Sequence, residues 1–571
     1  MRSNKVIRPL LAVALALTLR CEAQSNYWGA ETLEAQQLER QYAAKRGTMG
    51  IADHAMVAAC HRRSVDIGVA ILRRGGNAVD AFIAVTLADY VQAPGTSSLG
   101  GPLGALTYES KGAVVRSFVA PLKAVLNPAG QWTATETAAG KQVLIPGAIA
   151  GLELLHRKQG RLPWRALVAP AAQLAQDGFE VDPMYAAIVS AFQATLKKSE
   201  YGRATFFHAD GTPLLAGEHL KLPAMAATLR GIAGQGAKYI YRGAWRDEAV
   251  RAIAAQGGLA TAADFSGYLA SWGAPLRVAY RGHVVYGLGA HDYAGARLLL
   301  GLEILEKTDI RSIGHYSESL DGLETMLRVV GAVNVQPSLY LHSFFEKPGD
   351  AQAWLDSPLP AKLWHEVESH VSHAARPAAG SHSYSVVVVD ADGNAVAGTH
   401  TIESMPFGNG IFVGGVPLNN AAIVHPWRAG DTYATPPGEY IVEPLSATLA
   451  LRGNQVVLAS STFDNALWPA DLQVVTSALD FDWSPERIAL APRFGTYAMN
   501  IATMTADPEH TTIDKRFNAA VLTEMEARGL KLSQSGYFDT GMAVIVRRDP
   551  ATGRLTGFTP EPLIDGKAAG Y

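Results

Sequence analysis

Residues 383–390, SYSVVVVD, set four consecutive valines between a hydroxyl-rich entry and an acidic turn. β-Branched side chains are stiff at χ1 and fit a pleated strand, and an unbroken apolar run leaves no face for water. Such a strand belongs in the middle of a sheet covered on both sides, so the chain must build layers around it. The following DADGN supplies turn residues. The preceding residues 371–380, VSHAARPAAG, are small, rich in Ala and Pro and without periodicity, as a flexible join is.

The chain reads differently on the two sides of that join. Upstream, residues 24–47 form a polar leader of helical character, and residues 64–92 read as two helices parted by Gly75 and Gly76. In the first of these, Ile67, Val69, Ala70 and Ile71 share an apolar side. Further helices are expected over 147–159, 163–177 and 293–306, with Pro163 and Gly178 bracketing the second as start and stop signals. Strands are expected over 283–288, 384–390, 410–413 and 455–460, and the sequence beyond 380 alternates strand-like runs with turns. Helix-rich first and strand-rich later describes a layered α/β domain that can be cut at its join.

Several function classes fall away. A formal net charge of -3 gives no basic surface for nucleic acid or an anionic membrane. Residues 1–23 carry Arg2, Lys5 and Arg8, then a short apolar run, then small residues. That is the layout of a secretory signal cleaved after Ala23, and the run is too short to span a bilayer. Cys21 invites a lipoprotein reading, which Arg20 directly before it does not suit. The expected location is therefore periplasmic or secreted, without a membrane span. With Cys21 removed, Cys60 has no disulfide partner and reads as a small buried hydrophobe.

His365, His370 and His373 do not keep the i, i+4 spacing of a two-histidine zinc helix, and no metal or other cofactor is expected. The Gly-rich GTSSLGGPLG lacks the Lys-Ser/Thr of a phosphate loop, and no G-x-S-x-G elbow occurs.

What remains is the hydroxyl-rich entry to the valine strand. A serine freed as an N-terminal residue carries its own base, because an α-amine titrates near ~7.7–8.0 and can take the hydroxyl proton directly or through water. Such a site needs a cleavable bond, mobility upstream and a rigid strand downstream. VSHAARPAAG followed by SYSVVVVD has this layout; a polar loop entering a buried strand is the alternative.

Long ordered blocks then resemble one family. MVAACHRRSVDIGVAILRRGGNAVDAFIA, SSLGGPLGALTYE, IPGAIAGLELLHRKQGRLPWRALVAPAAQLAQDGFEV, LATAADFSGYLASWGAPLRVAYRGHVVYGL and DADGNAV…GNGIFVGGVPLNNA are similar to the γ-glutamyltranspeptidases, which are N-terminal-nucleophile hydrolases. The resemblance implies a four-layer αββα sandwich and a proenzyme that cuts itself once. Its fragments would be a large subunit, 24–382, and a small subunit, 383–571, held together as a heterodimer that can pair further.

The family's small subunit opens with a threonine in T-T-H-[YF]-S-V-V-D-x-[DE]-G-N-A-V. Matching DADGNAV without gaps puts that position on Ser383, with the cut between His382 and Ser383; matching SYSV with a two-residue insertion points to Ser381. By the same resemblance, Thr401 supports the nucleophile, Glu403 stands where the family has a substrate-contacting asparagine, and Ser446 matches its serine pair. The backbone amides of Thr462 and Phe463 correspond to the oxyanion hole, and Asn420 belongs to the substrate-binding N-N run.

Two positions depart together. The arginine that clamps the glutamyl carboxylate is replaced by Ser117, and the aspartate that holds the amine by Val424. Each lost charge-assisted contact is worth roughly 1.5–3 kcal/mol. The expected function is thus an exported self-processing amidohydrolase or acylase acting on a small-molecule amide whose acyl part is not a glutamyl zwitterion. The alternatives are a γ-glutamyl hydrolase or transferase with replacement contacts such as Glu403, or an unprocessed binding protein.

Overall fold

The computed structural model describes residues 48–127, 138–336, 349–370, 383–423, 435–463, 466–495, 498–500, 505–507, 510–535, 540–559 and 565–571. The leader and signal-like segment, Ser381, His382, His373 and Val424 lie outside the described residues.

Fourteen strands make two antiparallel sheets. They are β1 (Met49–Ala52), β2 (Met56–Ala59), β3 (Leu103–Glu109), β4 (Val114–Ala120), β5 (Ser271–Gly273), β6 (Leu276–Tyr280) and β7 (His283–Gly287), and, after the join, β8 (Ser383–Val389), β9 (Ala395–Thr401), β10 (Thr448–Arg452), β11 (Gln455–Phe463), β12 (Met542–Arg548), β13 (Leu555–Phe558) and β14 (Lys567–Gly570). One sheet runs β14-β2-β8-β9-β3-β4-β5 and the other β1-β13-β12-β11-β10-β7-β6. Both sheets mix strands from before and after the join, so a cut at the join would leave two fragments interleaved in one core.

Helices cover both outer faces. On the β8 sheet lie α1 (Arg62–Arg73), α2 (Ala78–Gln92) and α3 (Ala148–Gln159), with α4 (Trp164–Asp177) packed on α2 and α5 (Pro223–Gln235) on α4 outside them. Against the β11 sheet pack α6 (Ala294–Leu305) and α8 (Leu467–Leu479), with α7 (Leu320–Asn334) covering α6. Alternation along β12 shows the layering: Val544 and Val546 join the core between the sheets, while Ala543 and Ile545 join the helix-side core. The order is αββα.

The valine strand behaves as its composition demands. Every residue of β8 is buried, and Val386–Val389 pair with β9 on one side and β2 on the other. α2 is buried along its whole length, as an apolar-all-round helix must be. It opens with a capping box between Asn77 and Asp80.

The expected helices and strands are found within a residue or two, except that the 410–413 strand shortens to Phe412–Val413 and the last one extends to Phe463. Pro163 caps α4 from outside, and Gly178 (φ +90°) ends it. The buried face of α1 differs from expectation. It is Ser64, Val65, Gly68, Ile71 and Leu72, with Ile67 and Val69 half-buried and Ala70 exposed. Gly68 lies on that face because a Cβ there would press on Val57 and Val85, an approach that apolarity alone does not reveal. Cys60 is buried, its thiol reaching the Ser385 carbonyl at 3.7 Å.

Candidate active site

The turn after β8 sets the register of the β8–β9 hairpin. Asp390 accepts the Asp392 and Asn394 amides and the Asn394 side chain, and Val389 then faces Ala395. Counting outward, that register ends on Ser383 opposite Thr401, two rungs beyond Ser385 opposite Thr399. Directly opposed residues share a sheet face, so these four hydroxyls point the same way. Ser385 identifies the direction: its Oγ is 2.8 Å from Ser461 Oγ on β11 in the other sheet. Ser383, 4% exposed, therefore stands at the end of a rigid central strand, on the face between the sheets.

Thr401 accepts the Glu403 N–H on its Oγ1 at 2.8 Å, in a tight turn where Glu403 adopts φ +55°. The Gly-rich loop 95–101 closes over that turn. A Cβ on Gly101 would fall 1.9 Å from the Thr401 carbonyl oxygen, so only glycine permits the approach.

Behind the Ser383–Thr401 pair lies a sealed hydroxyl cluster. Thr399 Oγ1 donates to the Ser446 carbonyl at 2.6 Å and Ser461 Oγ to the same oxygen at 2.8 Å. Ser446 Oγ donates to Asp471 Oδ2 at 2.6 Å and accepts the Thr462 N–H at 2.8 Å. Burial pushes the Asp471 carboxyl up to about 7, against the opposing pull of the Ser446 and Thr462 hydroxyls and of Arg493. Thr399, Ser461 and Asp471 were not anticipated. Alternating hydroxyls in THT and consecutive ones in ASST hinted at the first two, but Asp471, in the helix α8, carries no local signal.

The other candidates fall at different distances from this center. Glu403 is fully buried near Glu443, whose carboxyl is raised well above its ordinary range by burial and then by the Glu403 charge, with the Leu122 N–H pulling the other way. Asn420 donates its amide to Ser404 Oγ and its side chain to Asn409. The Thr462 amide is engaged by Ser446 as described, and Phe463 ends β11 fully enclosed. Ser117 is not beside Ser383. It lies three strands away on the same sheet face, accepts the Gly289 N–H at 3.0 Å, and lines a cleft of about 820 Å³ with Val119, Trp272 and Tyr286.

A Ser–His–Asp arrangement appears on the opposite face of the sheet. Ser97 Oγ is 2.6 Å from His400 Nδ1, His400 Nε2 is 3.2 Å from Asp89, and Asp89 also meets His61 Nδ1 at 3.0 Å. Burial alone would lower His61 and raise Asp89. The hydrogen bonds and charges between them outweigh it, leaving His61 raised and Asp89 lowered. All four residues are at most 1% exposed, so no carbonyl substrate can reach the serine. The network pins the 95–101 loop to β9.

Comparison with known proteins adds the following. Residues 64–571 match the family described as Gamma-glutamyltranspeptidase. The chain is 27% identical over 555 residues to a glutathione hydrolase proenzyme of Escherichia coli (strain K12), covering 91% of this chain and 92% of that protein. It is 28% identical over 529 residues to an acylase ACY 1 proenzyme of Pseudomonas sp. (strain SE83), covering 88% and 91%. In fold it resembles the crystal structure of cephalosporin acylase from Bacillus halodurans, with a TM-score of 0.79 at 22% identity over 92% of this chain and 97% of that one.

Proposed function

The chain belongs to the gamma-glutamyltranspeptidase family and is an enzyme of that kind; from that premise we propose that it is an exported amidohydrolase that cleaves itself before Ser383 and uses Ser383 as an N-terminal nucleophile. The observation that carries this reading is the hairpin register, which sets Ser383 opposite Thr401 at the mouth of the central strand. The relatives that are proenzymes support a two-fragment form. The basic and apolar segment 1–23 supports export to the periplasm or beyond.

In processing, Ser383 Oγ attacks the carbonyl of His382. The serine amide leaves as an amine and an ester takes its place, and water hydrolyses the ester to release fragments 24–382 and 383–571. The freed α-amine of Ser383 then takes the proton of its own hydroxyl as that oxygen attacks a substrate amide. The Thr401 hydroxyl, held by the Glu403 N–H, orients the serine from across the ladder. Of the two amides expected to hold the oxyanion, that of Phe463 at the end of β11 is the one assigned here, because the Thr462 N–H is spent on Ser446 Oγ. The amine product departs with the proton, and water releases the acyl group.

The substrate is an amide whose acyl part is not a glutamyl zwitterion. Ser117 brings no charge to its cleft and spends its hydroxyl oxygen on Gly289, and Val424 brings none either. Acylase relatives make N-acyl compounds the natural class. A denaturing gel with N-terminal sequencing tests the reading: two fragments, the smaller beginning at Ser383, support it, and a single intact chain overturns it.

A further inference from the structure

The end strand of the β8 sheet is β5, the end strand of the β11 sheet is β6, and Ala274 and Pro275 carry the chain from one to the other. Sheets packed face to face stand about 10 Å apart, a gap that side chains have to fill. At this end they leave it open. On one wall Ser117 of β4 lies opposite Gly273 of β5, and on the other Tyr286 of β7 lies opposite Arg277 of β6. Their neighbours fix the direction. Phe118 packs on α3 at Gly151, and Leu276, Val278 and Val285 belong to the helix-side core, so the alternate residues turn inward between the sheets. A serine and a glycine are too small to fill their share of the gap. The space that remains is the cleft of about 820 Å³ described above, the size of a small-molecule site.

The cleft is closed toward Ser383. Between Val119 and Thr399 the sheet carries Gly104, and the buried Leu288 and Leu445 sit over it. A Cβ on Gly104 would come within 2.8 Å of Leu445 and 3.1 Å of Leu288, so apolar side chains fill the inter-sheet layer at that point. No aspartate or glutamate lines the cleft, and its one permanently charged side chain is Arg277. The main chain of Arg277 is held on both sides by one amide. Its N–H donates to Gln352 Oε1 at 2.9 Å, and its carbonyl accepts from Gln352 Nε2 at 3.0 Å. The guanidinium itself has no hydrogen-bond or ion-pair partner among the described residues.

We propose that this cleft is a binding site, separate from the Ser383 centre, for a small carboxylate with a flat apolar body. The body lies between Val119 and Tyr286, in the space that Ser117 and Gly273 leave free, and the carboxylate takes the forked N–H donors of Arg277 at the rim. The site stands whether or not Ser383 is the nucleophile, since none of its residues touches that serine.

The test is isothermal titration of the processed or intact chain with 4-phenylbutyrate and with 4-phenyl-1-butanol, which keeps the body and lacks the charge. One saturable site is expected for the acid, at least about 5-fold tighter than for the alcohol. Arg277→Gln, at an exposed position, should bring the acid down to the level of the alcohol and leave the alcohol unchanged. Gly273→Leu should abolish binding of both. A Cβ at Gly273 meets nothing nearer than 3.6 Å, so the added side chain enters the open cleft and not the backbone. Each variant is checked by its melting curve. No saturable binding of the acid, equal affinity for acid and alcohol, undiminished acid binding in Arg277→Gln, or binding that survives in Gly273→Leu would each overturn the proposal. If Gly273→Leu fails to fold, the acid-to-alcohol ratio in Arg277→Gln decides.

Discussion

Ser383 and Thr401 are direct partners across the β8–β9 ladder, so two hydroxyl-bearing residues share one face at the end of the most deeply buried hairpin. Their relative position is fixed by seven consecutive register pairs back to Val389 and Ala395. A one-residue slip would turn every side chain of β8 to the wrong face, which makes this pairing one of the stiffest relationships in the molecule.

Replacing Ser383 by alanine is expected to abolish both self-cleavage and amide hydrolysis, leaving one chain on a denaturing gel. Ser383→Thr, which keeps the hydroxyl, should retain cleavage, and Ser381→Ala should cut normally. Cleavage lost in Ser381→Ala and kept in Ser383→Ala would move the nucleophile two residues upstream.

Thr401→Val keeps the shape of the side chain and removes the acceptor for the Glu403 amide. The cost of an unpaired buried amide is about 1–3 kcal/mol. The expected outcome is slower processing and a kcat lowered roughly 10- to 100-fold, with the fold retained by circular dichroism.

Asp471 gives stability a pH signature of unusual sign for an aspartate. Its folded form holds a proton up to about 7, whereas an unfolded aspartate releases it near ~3.9. The stabilisation is fully present below the unfolded value and is lost as pH rises through the folded one, at roughly 1.4 kcal/mol per pH unit in between. Asp471→Asn should remove this slope, so its melting temperature relative to the parent should rise between pH 5 and pH 8. A constant difference across that range would contradict a neutral buried Asp471.

Gly101→Ala places a methyl group against the Thr401 carbonyl, where no flexible side chain can give way. Lower soluble yield or slow self-cleavage is expected, read by expression level and by the ratio of intact chain to fragments. Gly211→Ala, in open space at a left-handed turn, is the control for general backbone strain.

Substrate choice follows from the uncharged residues at 117 and 424. Against the same leaving group, turnover of a γ-glutamyl anilide should be on the order of 10²- to 10⁴-fold below that of a simple acyl anilide, the equivalent of two lost charge-assisted contacts. Comparable rates would mean that other groups bind the zwitterion.

Much of the fold could be read locally. Four valines and a DADGN turn specify a buried strand and its hairpin, because stiffness, apolarity and turn chemistry act within a few residues. Helix bounds at Gly75 and Gly178 follow from the left-handed backbone that glycine allows. The buried side of α1 was misread because Gly68, with no side chain of its own, is chosen by the valines of its neighbours, Val57 and Val85.

By itself the sequence determined the family and the hairpin and narrowed its mouth to Ser383 or Ser381, since all of these depend on order along the chain. Tertiary structure decided what surrounds that serine. Asp471, Ser446 and Ser461 reach the Ser385–Thr399 rung from the other sheet and its helix, and Ser97, Asp89 and His400 are brought into a triad-like line in a place no substrate can enter. Burial then gives these groups their chemistry. A carboxyl or imidazole enclosed among apolar layers takes its charge state from the few partners that the packing provides, and those partners lie up to several hundred residues away.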